Sequence, residues 1–408
     1  MTGRVLMIAY HFPPLAGSSG IQRTLRFARD LPAFGWQPVV LTAHPRAYAR
    51  CSADQLADIP AQIEVIRAPA WDTSRHLAIA GRYPGWLARP DRWASWWWGA
   101  VPAGLRALRR GGIDAIWSTY PIASAHRIGA TLARLSGLPW IADFRDPMVQ
   151  PGYPADARIR DAFTRIEGRA MARARFVTLT TAGAGTDYQG RYPERAEAVR
   201  VIENGYDEAS FAELSAAPAT PLNPGYRTLL HSGVVYPSER DPRALFAALA
   251  QLVTADGMPP LRVRLRAAVH ESLLRRLARE HGVEPLLELL PPLPYREALA
   301  EMVRADGLLV LQAANCNQQV PAKLYEYLRA GRPILALTDP AGDTAGVVAA
   351  AGLDTIAPLD DSAAIMALLR RFLAAPQALP LPANNAVVRA SRHERGRELA
   401  GLLDRCRA

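Results

Sequence analysis

The chain has 408 residues, half of them hydrophobic, with 34 prolines, 29 glycines and a net charge of +10. That is enough apolar material for two cores, and aperiodic proline and glycine mark turns, which excludes collagen-like and disordered classes. Cys51, Cys316 and Cys406 lie far apart with no metal or disulfide spacing, the usage expected of a reducing cytoplasm.

No apolar run reaches about 18 residues, so no spanning helix is expected. The first strand begins at Arg4 or Val5, too early for a signal peptide. Charge is uneven: residues 1–207 carry 26 arginines against 17 acids, a net +9, and the remainder nets +1. A basic first half points to an anionic partner, such as lipid headgroups, a polyprenyl phosphate or nucleic acid.

Val5 to Tyr10 reads as a buried parallel strand. A loop from His11 to Gly20 follows, containing Gly17 and Ser18, and then a helix over Ile21–Phe34. Strand, Gly/Ser loop and helix open a Rossmann-type half, with the helix N-terminus free to face a phosphate. The dinucleotide fingerprint G-x-G-x-x-G is absent, which counts against NAD. Strands are expected at Val39–Thr42 and Ile63–Ile66.

The window 82–110 holds Trp86, Trp93, Trp96, Trp97 and Trp98, with six arginines against Asp91 alone. Such a mixture suits a bilayer interface carrying anionic lipids; the alternative is a Trp-rich helix packed on its own domain. Aromatic–basic clusters also bind single-stranded nucleic acid, but no nucleic-acid motif accompanies this one.

Ala115–Thr119 is a strand, followed by a helix over Ala123–Ser136 in which His126 stands early, either packed or on a substrate side. Pro139–Ala142 leads into Asp143-Phe144-Arg145-Asp146-Pro147. Two carboxylates and a guanidinium at a strand's C-terminal end lie where α/β sheets place ligands. Residues 156–173 read as an Arg-rich amphipathic helix, strands fall at 176–180 and 199–202, and Asn204-Gly205-Tyr206-Asp207 forms a tight turn. Residues 208–225, rich in Ala, Pro and Ser, read as a linker.

A second series opens with a strand at Tyr226–His231, then a loop through Gly233, Val234 and Arg240 into a helix ending near Val253. Strands are expected at 261–266, 287–290, 308–311 and 334–337, with helices at 271–281 and 295–304. The tail from about residue 385 reads as a helix. Between the last two of these strands lies Val320-Pro321-Ala322-Lys323-Leu324-Tyr325-Glu326, a helix with Pro321 at its first position and Gly331 as its stop. Lys323 and Glu326 share a face at the helix's positive end. Lys323 is the sole lysine among 48 basic residues. A chain that otherwise uses arginine places its one compact ammonium where a planar fork would not serve.

This segment resembles the donor-binding stretch of retaining GT-B glycosyltransferases of the family-4 type, in particular a bacterial subgroup with a VPAKLYEYL-like motif. The resemblance implies two Rossmann-like domains with parallel sheets facing a cleft: 1–207 for the acceptor, 226–384 for the nucleotide-sugar, and 385–408 as a helix returning to the first domain. It implies that Glu326 holds the donor ribose and that Lys323, Arg240, Gln319, Val320 and Pro321 meet the donor pyrophosphate. The opening loop with Gly17 and Ser18 lies across from the donor. Asp143 and Asp146 act catalytically by orienting the acceptor hydroxyl, with Arg145 and His126 on the acceptor side. The chain departs from the family pattern at Gln318, where relatives carry Glu; at Val234, where they often carry a basic residue; and at Arg145, where many carry His. The implied activity is retaining transfer of a sugar from a nucleotide-sugar to a lipid-linked or saccharide acceptor, without a metal or other cofactor. The expected setting is cytoplasmic, peripheral on the inner membrane through 82–110, without nucleic acid. Rival readings are a nucleotide-sugar epimerase-like enzyme and a membrane-surface sugar-binding protein with a degenerate site.

Overall fold

The computed structural model describes residues 2–18, 20–53, 55–214, 220–257 and 259–407. The chain divides into two compact units, residues 1–203 with 392–408, and residues 204–391. The division falls just before the Asn204 turn, where the expected boundary lay just after it.

The first unit runs β1 (Gly3–Ile8), α1 (Gly20–Asp30), β2 (Trp36–Ala43), β3 (Glu64–Ala68), α2 (Thr73–His76), α3 (Trp96–Arg109), β4 (Ala115–Thr119), α4 (Ala123–Ser136), β5 (Trp140–Arg145), α5 (Ala157–Arg173), β6 (Phe176–Leu179), α6 (Ala182–Arg191) and β7 (Val199–Val201). Its strands form one parallel sheet in the order β3-β2-β1-β4-β5-β6-β7. Strand alternation sends Leu6 and Ile8 into one core and Val5 and Met7 into another on the opposite face, as a sheet covered on both sides requires.

The second unit runs α7 (Glu208–Ala212), β8 (Arg227–Ser232), α8 (Arg243–Asp256), β9 (Leu261–Arg266), α9 (Glu271–Glu280), β10 (Leu287–Leu290), α10 (Tyr295–Arg304), β11 (Gly307–Gln312), α11 (Lys323–Ala330), β12 (Ile334–Thr338), α12 (Asp343–Ala350), β13 (Ile356–Ala357), α13 (Ser362–Ala374) and α14 (Asn384–Arg389). Its parallel sheet is ordered β10-β9-β8-β11-β12-β13, again between two cores. In both sheets strand order reverses beside the first strand, at β1/β4 and at β8/β11. Such switch points open a crevice at the strands' C-terminal ends.

Two expectations are corrected, and the tryptophan cluster is placed. The segment 208–225 is not wholly a linker: α7 packs Phe211 into the second unit's core and pairs Glu208 with Arg329 at 2.6 Å, while 215–219 lie outside the described residues. The tail from 385 is two helices, α14 in the second unit and α15 (Arg392–Arg407) in the first. There α15 buries Leu399, Leu402 and Leu403, and its Asp404 accepts the Trp36 indole N–H at 2.8 Å. The tryptophan cluster is mostly interior: Trp96 is fully buried, Trp93 lies 4.8 Å from the Tyr10 ring, and Trp97 donates to Thr131. Only Trp86 and Trp98 of the five are open to solvent, at 67% and 71%. Among the described residues no helix is long and apolar enough to cross a membrane.

Candidate functional site

In the second unit the residues converge on the β8/β11 switch point. Helix α11 begins at Lys323, with Leu324 and Tyr325 N–H donating back to Pro321 and Ala322. Pro321 therefore lies two residues ahead of the helix, where its fixed φ shapes the entry, instead of at its first position. Gly331 ends it in the left-handed conformation at φ +66°, as a C-terminal stop should. The approach loop is locked: Gln312, at the end of β11, donates to the carbonyls of Cys316 (2.8 Å) and Gln319 (2.7 Å), and Thr344 adds a third bond to Gln319 O. Val320 anchors the loop in the core.

This arrangement aims Lys323 at β8. Its Nζ lies 3.3 Å from His231 Nε2, while His231 Nδ1 faces Leu309 O at 2.9 Å. The Nδ1 proton goes to that carbonyl, leaving Nε2 as the acceptor for the ammonium. Burial, then the Lys323 charge, holds His231 neutral, its pKa well below 6.5. Burial and the neighbouring Arg240 lower Lys323 to about 7, against the opposing pull of Glu326. A Cβ on Gly233 would come 2.4 Å from Lys323 Nζ, and Gly233 has φ +131°; only glycine satisfies both. The ammonium thus reaches from α11 to the end of β8, beside Val234, where the expected basic side chain is missing. Arg240 stands over the Tyr236 ring at 5.2 Å and donates to Val234 O at 2.5 Å. Glu326, one turn into α11, accepts the Tyr295 hydroxyl at 3.0 Å. A cavity of about 580 Å³ in the same unit is lined by Asp241, Arg243, Ala313, Asp339 and Asp360, and by none of the residues of this group.

In the first unit His11, Ser18, Gly20 and Arg145 meet at the β1/β4 switch point. Ser18 Oγ lies 2.8 Å from His11 Nδ1 and accepts the Gly20 N–H at 3.2 Å, tying the loop to the start of α1. Gly17, one residue earlier, is exposed with φ +78°. A Cβ on Gly20 would strike His11 Nδ1 at 2.6 Å and Arg145 Nη1 at 2.9 Å. Burial, then Arg145, lowers His11 to about 4. Arg145 has φ +63° at a register shift between β5 and β6, a strained backbone held by Thr180, which donates to its carbonyl twice at 2.8 Å. Its buried Nε has no partner among the described residues, and burial lowers its pKa. Asp146 is exposed and accepts a long 3.4 Å bond from Thr180.

Two assignments are corrected. Asp143 is fully buried, accepts both nitrogens of Arg23 at 2.8 and 2.9 Å, and takes Thr119 and Thr178 hydroxyls at 2.7 Å each. Burial raises its pKa, but Arg23 and the two hydroxyls outweigh this and leave it below 3.8. With its oxygens occupied, it is a clamp, for Arg23 also holds the carbonyls of Ile202 and Glu203. His126 is also fully buried, 2.8 Å from Ser118 Oγ and edge-on to Phe144. Sequence reasoning missed His11, Arg23 and His231 as site members. The available signal was position: His11 and His231 stand at the C-terminal ends of the first strand of each unit, and Arg23 one turn into the helix that follows β1.

Residues 19–205 match the glycosyl transferase 4-like domain family. Solved structures match nearly the whole chain. Sucrose-phosphate synthase from Thermosynechococcus elongatus superposes with TM-score 0.65 at 15% identity, covering 99% of this chain and 98% of that one. Anabaena HepE, in complex with UDP, gives 0.67 at 15%, covering 98% and 100%. WaaG, a glycosyltransferase involved in lipopolysaccharide biosynthesis, gives 0.57 at 16%, covering 97% and 95%. The fold is GT-B. Comparison with curated protein sequences gives no match.

Proposed function

We propose that this protein is a retaining glycosyltransferase that moves a sugar from a nucleotide-sugar to a lipid-linked or saccharide acceptor of a cell-surface glycan. The observation that carries the reading is the Lys323 ammonium placed beside Gly233 at the second unit's switch point, within reach of the fields of Arg240 and Glu326. That group suits the departing nucleoside diphosphate: Lys323 and Arg240 stabilise the charge that develops as the glycosidic bond breaks, without a metal, and Glu326 binds the ribose. Arg145, with spare donors, and exposed Asp146 serve the acceptor side. HepE structures with UDP and with UDP-glucose support a nucleotide-sugar donor, and the WaaG likeness fits a surface-glycan product. Exposed Trp86, and exposed Trp98 on the basic α3, fit peripheral attachment to an anionic membrane, on the cytoplasmic side where nucleotide-sugars are made.

The test is a thermal-shift panel of nucleoside diphosphates and their sugars, followed by transfer assays with and without acceptor. A ligand bound by the native state raises its melting point. A rise for one nucleotide, lost in Lys323→Ala, supports the donor site; sugar release only when acceptor is present supports transfer. No shift with any nucleotide rejects the reading.

A further inference from the structure

We infer that the flank of the first unit between α3, α4 and α5 carries a second anion site, which takes a phosphate-bearing ligand. Arg127, Thr131 and Arg134 recur on one face of α4, and Ile166, Arg169 and Arg173 on one face of α5, at helical spacing. Both faces line one cavity of about 410 Å³, together with Trp97 and His126.

What marks this cavity is the absence of counter-charge. Among the described residues none of these four guanidiniums has an ion-pair or hydrogen-bond partner, whereas Arg23, Arg191, Arg264 and Arg266 are all paired with carboxylates. The acids nearby are committed elsewhere. Glu167 of α5 accepts from Tyr188, Arg191 and Tyr192. Asp91, whose field reaches Arg127, accepts from Ser124 twice and from Trp93. Burial and the charge of Arg169 lower the pKa of Arg127: two cations face each other across the cleft, and an anion between them relieves the repulsion.

The remaining lining is organised as a donor surface. The Arg127 guanidinium lies over the Trp97 ring at 5.0 Å, and the Trp97 indole donates to Thr131 Oγ1, which in turn donates to Arg127 O. His126 completes it. Trp140 donates to Ser118 Oγ at 2.8 Å, and His126 Nδ1 lies 2.8 Å from the same oxygen; the tautomer in which the Ser118 hydroxyl donates to Nδ1 puts the ring proton on Nε2. That Nε2 is buried and has no partner among the described residues. Several guanidiniums and a neutral N–H, with no carboxylate in the lining, suit a ligand of several anionic oxygens. The volume exceeds one phosphate and accommodates a diphosphate or a phosphate ester. An anionic lipid headgroup or a soluble phosphorylated molecule can supply that chemistry.

The test uses the full chain carrying Lys323→Ala and Arg240→Ala, so that the proposed donor site does not contribute. Inorganic pyrophosphate is titrated calorimetrically at about 0.15 M salt, where distant exposed charges are screened. Vesicles of phosphatidylglycerol and phosphatidylcholine are tested by co-sedimentation. Saturable binding should weaken at least about tenfold in Arg134→Gln/Arg169→Gln/Arg173→Gln and stay unchanged in Arg275→Gln/Arg276→Gln/Arg279→Gln, which removes equal charge from exposed α9. Pyrophosphate displacing the protein from vesicles assigns the ligand to a headgroup; pyrophosphate binding without vesicle binding assigns it to a soluble phosphate ester. Both results uphold the site. Binding of neither probe, or equal weakening in the α9 variant, overturns it.

Discussion

Nucleotide binding should draw a proton onto Lys323. Burial and Arg240 hold its pKa at about 7 in the empty protein, so at pH 8 about nine-tenths of the amine is free base. A diphosphate beside it favours the charged form and returns the pKa toward its ordinary value. Binding UDP should therefore take up about 0.9 proton at pH 8 and about 0.5 at pH 7. His231 is not the source of this uptake, because its Nδ1–H is engaged by Leu309 O and its Nε2 already faces the ammonium. Calorimetry in buffers of different ionisation enthalpy measures the uptake. At pH 8 the terminal phosphate, with a second pKa of about 6, is already ionised and adds little. In Lys323→Ala the uptake should vanish, and transfer should fall at least about a hundredfold, or about 2.7 kcal/mol. Binding without proton linkage at pH 8, or the same uptake in Lys323→Ala, would refute the reasoning.

Gly233→Ala should disable the same site, because its methyl would meet Lys323 Nζ at 2.4 Å in a backbone conformation side chains avoid; chemical denaturation should also show a loss of about 1–3 kcal/mol. Asp143→Asn should destabilise the first unit by about 3–5 kcal/mol, since it leaves Arg23 as an uncompensated buried charge. Because the Asp143 pKa is lowered, its contribution is present at neutral pH and is lost only on acidification through the carboxylate range. His11 and His126, lowered to about 4 and about 3, stay neutral in the fold while the unfolded chain takes up protons below about pH 6.5. Stability should therefore fall on acidification from 6.5 to 5, by about 2 kcal/mol per histidine, and less steeply in His126→Phe. Trp86→Ala/Trp98→Ala should reduce sedimentation with anionic vesicles several-fold, and an unchanged bound fraction would discount the membrane assignment.

Much of the fold could be read from the chain because each unit repeats buried strand, loop and amphipathic helix. The helix over 123–136 and the strands at 115–119, 261–266 and 287–290 match residue for residue. The strand β13 escaped notice because it is only Ile356–Ala357, two residues against the edge of β12. The α7 helix hid in a low-complexity stretch, where its one deep anchor, Phe211, follows a run of small and charged residues. At the site, Lys323 and Glu326 were legible because helical spacing brings them together. The roles of Asp143 and His126 were not, since residue type at a strand end does not say which face of the sheet a side chain enters. Alternation along β5 turns Asp143 inward to Arg23 and leaves Asp146, beyond the strained Arg145, in the open. The pairing of Lys323 with Gly233 spans ninety positions and had no local signal.

A chain with a single lysine offers chemists two amines, that side chain and the α-amino terminus. Held near pH 7 by its surroundings, the Lys323 amine is about half unprotonated in neutral buffer, far more than an ordinary surface lysine. Mild electrophiles such as activated esters or formaldehyde with cyanoborohydride should tag it together with the α-amino group, with no other amine competing. An isotopic methyl placed there would report nucleotide occupancy directly, without a genetically introduced label.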